Sequence, residues 1–206
     1  MTGRSHAILT EAFHRGAEDG SAALAKWLGR PVTLSVDRLE TLPIASAAAV
    51  LGSGDEPVCS CAMGISGAVG GLLLLAAEDA AALSLADTLL ERPVGTSTEW
   101  GELERSAVIE TANIVGCAYL NALCAILTPE NDDGILPSPP VFQRDFPAAV
   151  MEAVLMQQPL LGDTVLLANS EFRISSTLFR CRLIFVPDTA GLQADAHQPA
   201  DPEPRP

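Results

Sequence analysis

Ser106, Glu110 and Asn113 put a hydroxyl, a carboxylate and a carboxamide into an otherwise apolar run, SAVIETANIVGCAYLNAL. On an α-helix, which turns about 100° per residue, Glu110 falls about 40° and Asn113 about −20° from Ser106. The three groups form one stripe, and Cys117, Asn121 and Cys124 extend it. Val108, Ala112, Val115, Tyr119, Ala122 and Ile126 fall on the far side and can anchor the helix in a core. Ser, Glu and Asn are ordinary residues on a solvated helix face. Two features point elsewhere. No Lys or Arg occurs between Ser106 and Leu127, and Asn, a mediocre helix former, stands twice on the same side. A carboxamide donates and accepts hydrogen bonds, so it can orient a water without acting as a base. A carboxylate beside it can pair with a cation across an interface. This chemistry suits a hydrolysis in which placing the water is the main task.

The elements that must hold this stripe follow from the flanking patterns. A first helical pattern runs from about Ile8 to Leu28 and stops at Gly29-Arg30-Pro31. VTLSVDRLE alternates as a half-buried strand, and a short helix is expected near Ala45 to Leu51. EPVCSCAMGISGAVGGLLLLAA reads as two antiparallel strands turning near Ser66-Gly67. EDAAALSLADTLLER is an amphipathic helix ended by Arg92-Pro93. A long helix from about Glu99 to Leu127 opens the second half and is broken by Pro129 and ENDDG. A strand near Pro140 to Arg144, a helix near Phe146 to Gln157 and two closing strands follow.

Both halves therefore read long helix, strand, short helix, strand, strand. At an offset of 99 residues Glu110 falls on Glu11, Asn113 on His14, and Ala122-Leu123 on Ala23-Leu24. The expected fold is α/β (α+β): two helix-plus-strands halves, about 5–92 and 99–187, related by a pseudo-twofold within one domain spanning 1–187. The long helices pack on a continuous, mainly antiparallel sheet. Residues 188–206, rich in Pro, Ala and acid, read as a disordered tail.

Composition narrows the partners. The formal net charge is −14, from 26 acidic and 12 basic residues, and Lys26 is the single lysine. That argues against nucleic acid and anionic membranes, both of which want a basic footprint. A basic patch on a protein remains a fitting partner. No secretory signal or transmembrane helix stands out, and the richest apolar run, Gly67 to Leu90, is broken by Glu78, Asp79 and Asp87. Five cysteines, an odd number, fit reduced thiols and a cytoplasmic location.

Ser106, Glu110 and Asn113 match the [D/S]-x3-E-x2-N signature of the CheC, CheX and FliY phosphatases of bacterial chemotaxis. Gly116, Tyr119, Asn121, Ala122 and Leu123 also resemble that family's second motif, and the whole is most like CheC. A downstream Pro belongs to the pattern; here Pro137 lies two residues beyond the usual place, with Pro139 and Pro140 further on. The resemblance covers most of Thr10 to Pro187, including LAKWLGRPV. It implies a phosphatase acting on the aspartyl phosphate of a CheY-like receiver domain. Glu110 would grip the partner's active-site lysine and Asn113 would place the attacking water. Ser106 would be a supporting hydrogen-bond group. An aspartyl phosphate is a labile mixed anhydride, so positioning suffices. No metal ligands or cofactor of its own are expected, and the Mg²⁺ would be the receiver's.

The first-half copy departs from the signature. Glu11 is present, but His14 stands where Asn is expected and Ala7 where Asp or Ser is expected. Either this second site is a relict, or His14 replaces the amide as a water-orienting group or base. Cys59 and Cys61 form C-x-C on a strand and read as small core residues, and Cys117 and Cys124 as packing beside the site, a redox switch being the other reading. The main alternative function is a non-catalytic adaptor that binds a receiver domain or a CheD-type deamidase. A flagellar-switch component, as in FliY, is a third; the lack of an added switch-type domain counts against it.

Overall fold

The computed structural model describes residues 3–52, 54–67, 70–127, 134–157 and 163–188. The expected tail, apart from Asp188, and the ENDDG break at 130–134, apart from Gly134, lie outside the described residues. The first half comprises α1 (Gly3–Leu28), β1 (Val32–Pro43), a 3-10 turn (Ile44–Ser46), α2 (Ala47–Leu51), β2 (Val58–Gly67), β3 (Gly71–Glu78) and α3 (Asp79–Leu89). The second comprises α4 (Glu102–Leu127), β4 (Ile135–Pro137), β5 (Val141–Asp145), α5 (Pro147–Gln157), β6 (Thr164–Ile174) and β7 (Thr177–Pro187). The short β4 was not anticipated. Three residues, two of them exposed and the last a proline, give too little alternation to mark a strand.

Every strand pair is antiparallel, and the described strands form one sheet in the order β1-β6-β7-β3-β2, with β4 and β5 both pairing β2. Exchanging β1, β2, β3 for β5, β6, β7 reverses this order and otherwise leaves it unchanged. The axis of the pseudo-twofold passes between β3 and β7, where Leu72 faces Val186 and Leu75 faces Leu183. Successive side chains point to opposite faces of the sheet; the central strands β2, β3, β6 and β7 are buried on both over much of their length, whereas β1 alternates buried Val32, Leu34 and Val36 with exposed Thr33, Ser35 and Asp37. On β7, Phe179, Cys181, Leu183 and Phe185 meet the long helices, whereas Ile184 and Val186 meet α2 and α5. The sheet is therefore sandwiched, with α1 and α4 on one face and α2 and α5 on the other.

The long helices meet closely. Phe13 and Tyr119 contact ring to ring at 5.5 Å, and both are buried. A Cβ on Gly16 would lie 2.8 Å from the Tyr119 Cα, so only glycine allows this backbone approach. Gly116 does the same for α4 on the sheet, where a Cβ would meet the Met63 thioether. Among the described residues α4 is the one helix long and apolar enough to cross a membrane by length and composition, with a mean hydropathy of 1.4. Here it is a core helix: Val115, Tyr119, Leu120 and Leu123 pack toward α1 and the sheet, and Val108 and Ala112 toward α3 and β2.

The link between the halves is organised by a buried carboxylate. Asp87 is fully buried and accepts hydrogen bonds from the backbone N–H of Gly95 at 2.8 Å and of Ser97 at 3.0 Å. Burial alone would raise its pKa; the hydrogen bonds from Ser97 and Gly95 outweigh that and hold it below the usual carboxylate value. Arg92 adds an ion pair to Glu104, tying the link to the first turn of α4. α3 itself ends with Glu91 in the left-handed region at φ 57, and the Arg92 N–H bonds the Asp87 carbonyl at 2.8 Å, closing a Schellman motif.

Three substitutions test these contacts. Gly16→Ala should cost about 1–3 kcal/mol in denaturant unfolding, because the Tyr119 backbone cannot yield. Gly116→Ala should cost less, because Met63 is flexible. Because the Asp87 pKa is depressed on folding, its contribution is complete above the ordinary carboxylate pKa and is lost as pH falls through the folded value. Asp87→Asn should therefore lower stability at neutral pH by about 1–3 kcal/mol and flatten the acid limb of the stability profile.

Candidate functional site

The roll of α4 about its axis decides which side chains reach solvent. With Val108, Ala112, Val115 and Tyr119 turned inward, Ser106 and Glu110 are exposed and Asn113 is half-buried. Cys117 and Cys124 are half-buried and Asn121 is exposed. Leu120 interrupts the stripe: it is fully buried, because the second half of α4 is covered on more sides than the first.

Glu110, Asn113 and Ile109 form one wall of an open depression of about 360 Å³; Pro137, Ser138, Pro139 and Pro140 form the other. Side chains three residues apart on a helix lie about 5–6 Å from each other, so one small group can touch both Glu110 and Asn113. The proline wall is held in place from β2. Pro137 pairs with Ile65, the Ser138 N–H donates to the Gly64 carbonyl at 2.8 Å, and the Gly64 N–H donates to Ser138 Oγ at 2.9 Å. Ser138 Oγ also donates to the Pro139 carbonyl at 3.2 Å. Prolines suit this wall because it leaves the sheet and needs no further N–H donors. Ser106, one turn before Glu110, does not line the depression.

Asn113 has a partner within the helix. The Cys117 thiol donates to Asn113 Oδ1 with a sulfur–oxygen distance of 3.8 Å. Burial, and then the charge of Glu110, raise the Cys117 pKa, so the thiol stays protonated and remains a donor. The amide keeps its second oxygen lone pair and both N–H donors for a ligand. Sequence reasoning placed Cys117 beside the site but did not find this bond, since side-chain reach is not visible in spacing alone. Ser138 and Ile109 were also missed; the Pro-rich segment ILPSPP was the available signal for Ser138.

The first-half copy is built differently. Glu11, His14 and Ala7 are all exposed on α1. The link from α1 to β1 is only residues 29–31, whereas the link from α4 to β5 spans 128–140 and carries β4. Among the described residues no strand of the first half corresponds to the wall facing Glu110 and Asn113, and Glu11 and His14 are not brought to such a depression by the same means. Cys59 and Cys61 are buried among Ala82, Ala86, Val108 and Ala112, and burial pushes the Cys61 thiol up to about 12. Among the described residues no group of three or more His, Cys, Asp or Glu side chains is placed to hold a metal ion.

No protein-family model and no curated protein matches the chain. Solved structures do. FliY from Thermotoga maritima is 17% identical with a TM-score of 0.70, covering 94% of this chain and 94% of that one. The FliM middle domain from H. pylori is 11% identical with a TM-score of 0.63, covering 94% and 97%. The FliM middle domain from Vibrio alginolyticus is 11% identical with a TM-score of 0.60, covering 91% and 96%. At these identities the likeness shows the fold, which is that of FliY and the FliM middle domain. FliM from H. pylori has been solved as a complex with FliG and as a complex with SpeE.

The shared face of Glu110 and Cys117 is open to a direct check. Glu110→Gln removes a negative charge that raises the thiol pKa, so Cys117 should be alkylated faster by iodoacetamide near pH 8. Mass spectrometry of the Cys117 peptide reads the rate. An unchanged rate would mean that the two side chains do not feel each other.

Proposed function

We propose that the protein hydrolyses the aspartyl phosphate of a CheY-like receiver domain, in chemotaxis or related two-component signalling. The observation that carries this reading is the depression in which Glu110 and Asn113 stand together opposite the wall formed by Pro137 to Pro140. It supports the role implied by the signature, and among the described residues no strand like β4 follows the helix that carries Glu11 and His14. The resemblance to CheC in particular rests on the motif around Asn113. The reading includes a cytoplasmic location, where receiver domains work.

In this reading Glu110 pairs with the receiver's active-site lysine and sets the docking register. Asn113 Oδ1, already holding the Cys117 thiol, accepts a hydrogen bond from a water through its second lone pair. The water oxygen attacks phosphorus. The bond between phosphorus and the aspartate oxygen breaks, the aspartate leaves as a carboxylate, and the water's proton passes to phosphate or solvent. Mg²⁺ in the receiver neutralises the developing charge. This chain contributes positioning and no covalent intermediate.

A second reading is that the chain binds a receiver domain or a CheD-type partner without chemistry. The complexes of FliM with FliG and with SpeE show that proteins of this fold can serve as binding modules, and the reading carries that use over to this chain.

One experiment separates the two. Receivers from the same cell are phosphorylated with acetyl phosphate and Mg²⁺, and their decay is timed with and without the protein. Phosphatase activity predicts accelerated decay, and Asn113→Ala should reduce the acceleration about 100-fold while the fold is kept. His14→Ala should leave it within about twofold. Binding without any change in decay supports the adaptor, and decay that ignores the double substitution Glu110→Ala, Asn113→Ala rejects this site.

A further inference from the structure

Beyond the depression, the surface between α4 and β5 carries a cluster that the hydrolytic chemistry does not use. Arg105 lies one turn before Ile109, with its guanidinium carbon 5.7 Å from the centre of the Phe142 ring. Phe142 in turn contacts Trp100, with ring centroids 4.9 Å apart. The Trp100 indole N–H donates to Asp79 Oδ1 at 2.8 Å. Arg144 grips the same carboxylate with two hydrogen bonds, at 2.8 Å and 2.9 Å.

The charges in this cluster are not equivalent. Asp79 neutralises Arg144. Arg105 is exposed and forms no ion pair with a carboxylate among the described residues. It is an unspent cation on a chain of net charge −14. Its head is held by a ring that is itself held, so less side-chain entropy is lost when a partner binds. Between Arg105 and Asn113 on α4, Ile109 is half-buried and packs with Phe142 against the same buried cluster, Ile109 and Pro140 line the depression, and the exposed Ser106 and Glu110 border this ground. A mixed strip with one fixed cation fits a protein surface carrying a carboxylate, and a nucleic acid would be repelled by the surrounding acid.

We propose that the α4–β5 seam from Asn113 to Arg105 is the docking strip for the phosphorylated receiver, and that Arg105 takes an exposed carboxylate of that receiver. The proposal rests on the phosphatase reading. Glu110 and Asn113 then act on the reacting centre, while Arg105 selects and orients the partner from about two turns away. Docking strength and chemistry are thus assigned to different residues.

The test uses the full chain and the receiver whose decay it accelerates, phosphorylated with acetyl phosphate and Mg²⁺. Arg105→Glu should raise KM about tenfold or more and weaken its dependence on ionic strength, with kcat within about twofold. Arg105→Gln should raise KM less, and Arg105→Lys should recover most of the affinity. Circular dichroism and thermal unfolding confirm the fold of each variant, and Arg105→Gln decides the matter if the reversal does not fold. An unchanged KM and salt dependence in a folded variant overturns the docking assignment and leaves the phosphatase reading standing. If no receiver responds to the wild-type protein, the phosphatase reading falls and this assignment falls with it.

Discussion

Close approach of α1 to α4 at Gly16 and Tyr119 is the constraint on which the remaining geometry depends. Absence of a side chain at Gly16 lets the two backbones nearly touch, and Phe13 on Tyr119 fills the space beside them. Gly116 then seats α4 on Met63 of the sheet. A helix pinned on two sides cannot roll. Glu110 and Asn113 are carried outward because Val115, Tyr119 and Leu123 are held inward. The polar stripe is thus positioned by apolar contacts, which are worth far more in sum than any hydrogen bond the stripe makes.

Two-fold symmetry supplies the frame, and a departure from symmetry supplies the site. The strand order maps onto itself when the halves are exchanged, so each half could present its long helix in the same way. What differs is the link that follows the helix. In the second half it reaches back to β2, pairs there through Ile135, Leu136 and Pro137, and leaves the sheet as a proline wall. The first half passes from helix to strand through Gly29, Arg30 and Pro31 alone. The second-half helix therefore borders a walled depression, whereas Glu11 and His14 stand exposed on a helix that no such link follows.

The linker between the halves shows a related economy. Asp87, Arg92, Ser97 and Glu104 form a polar cluster that sets where α4 begins. The helix was expected to start near Glu99 but begins at Glu102. Trp100 lies before that start, its indole on Asp79 and its ring on Phe142, so the chain there is spent on cross-links to α3 and β5. Long-range partners of this kind leave no periodic trace in the sequence.

Element types, their order and the pseudo-repeat were legible from the sequence because each rests on local physics: alternation on strands, 3.6-residue spacing on helices, Gly and Pro at the ends. The stripe of Ser106, Glu110 and Asn113 was legible for the same reason, since three residues on one helix need no tertiary information to share a face. The β4 strand, the facing wall at Pro137 to Pro140, the Cys117 bond to Asn113 and the Arg105–Phe142–Trp100 stack were not. Apart from the Cys117 bond, which turns on rotamers, each depends on contacts between segments tens of residues apart. The sequence by itself determined which groups stand side by side on α4; the tertiary structure decided what stands opposite them, because only the packed sheet brings β2, β4 and β5 to that face.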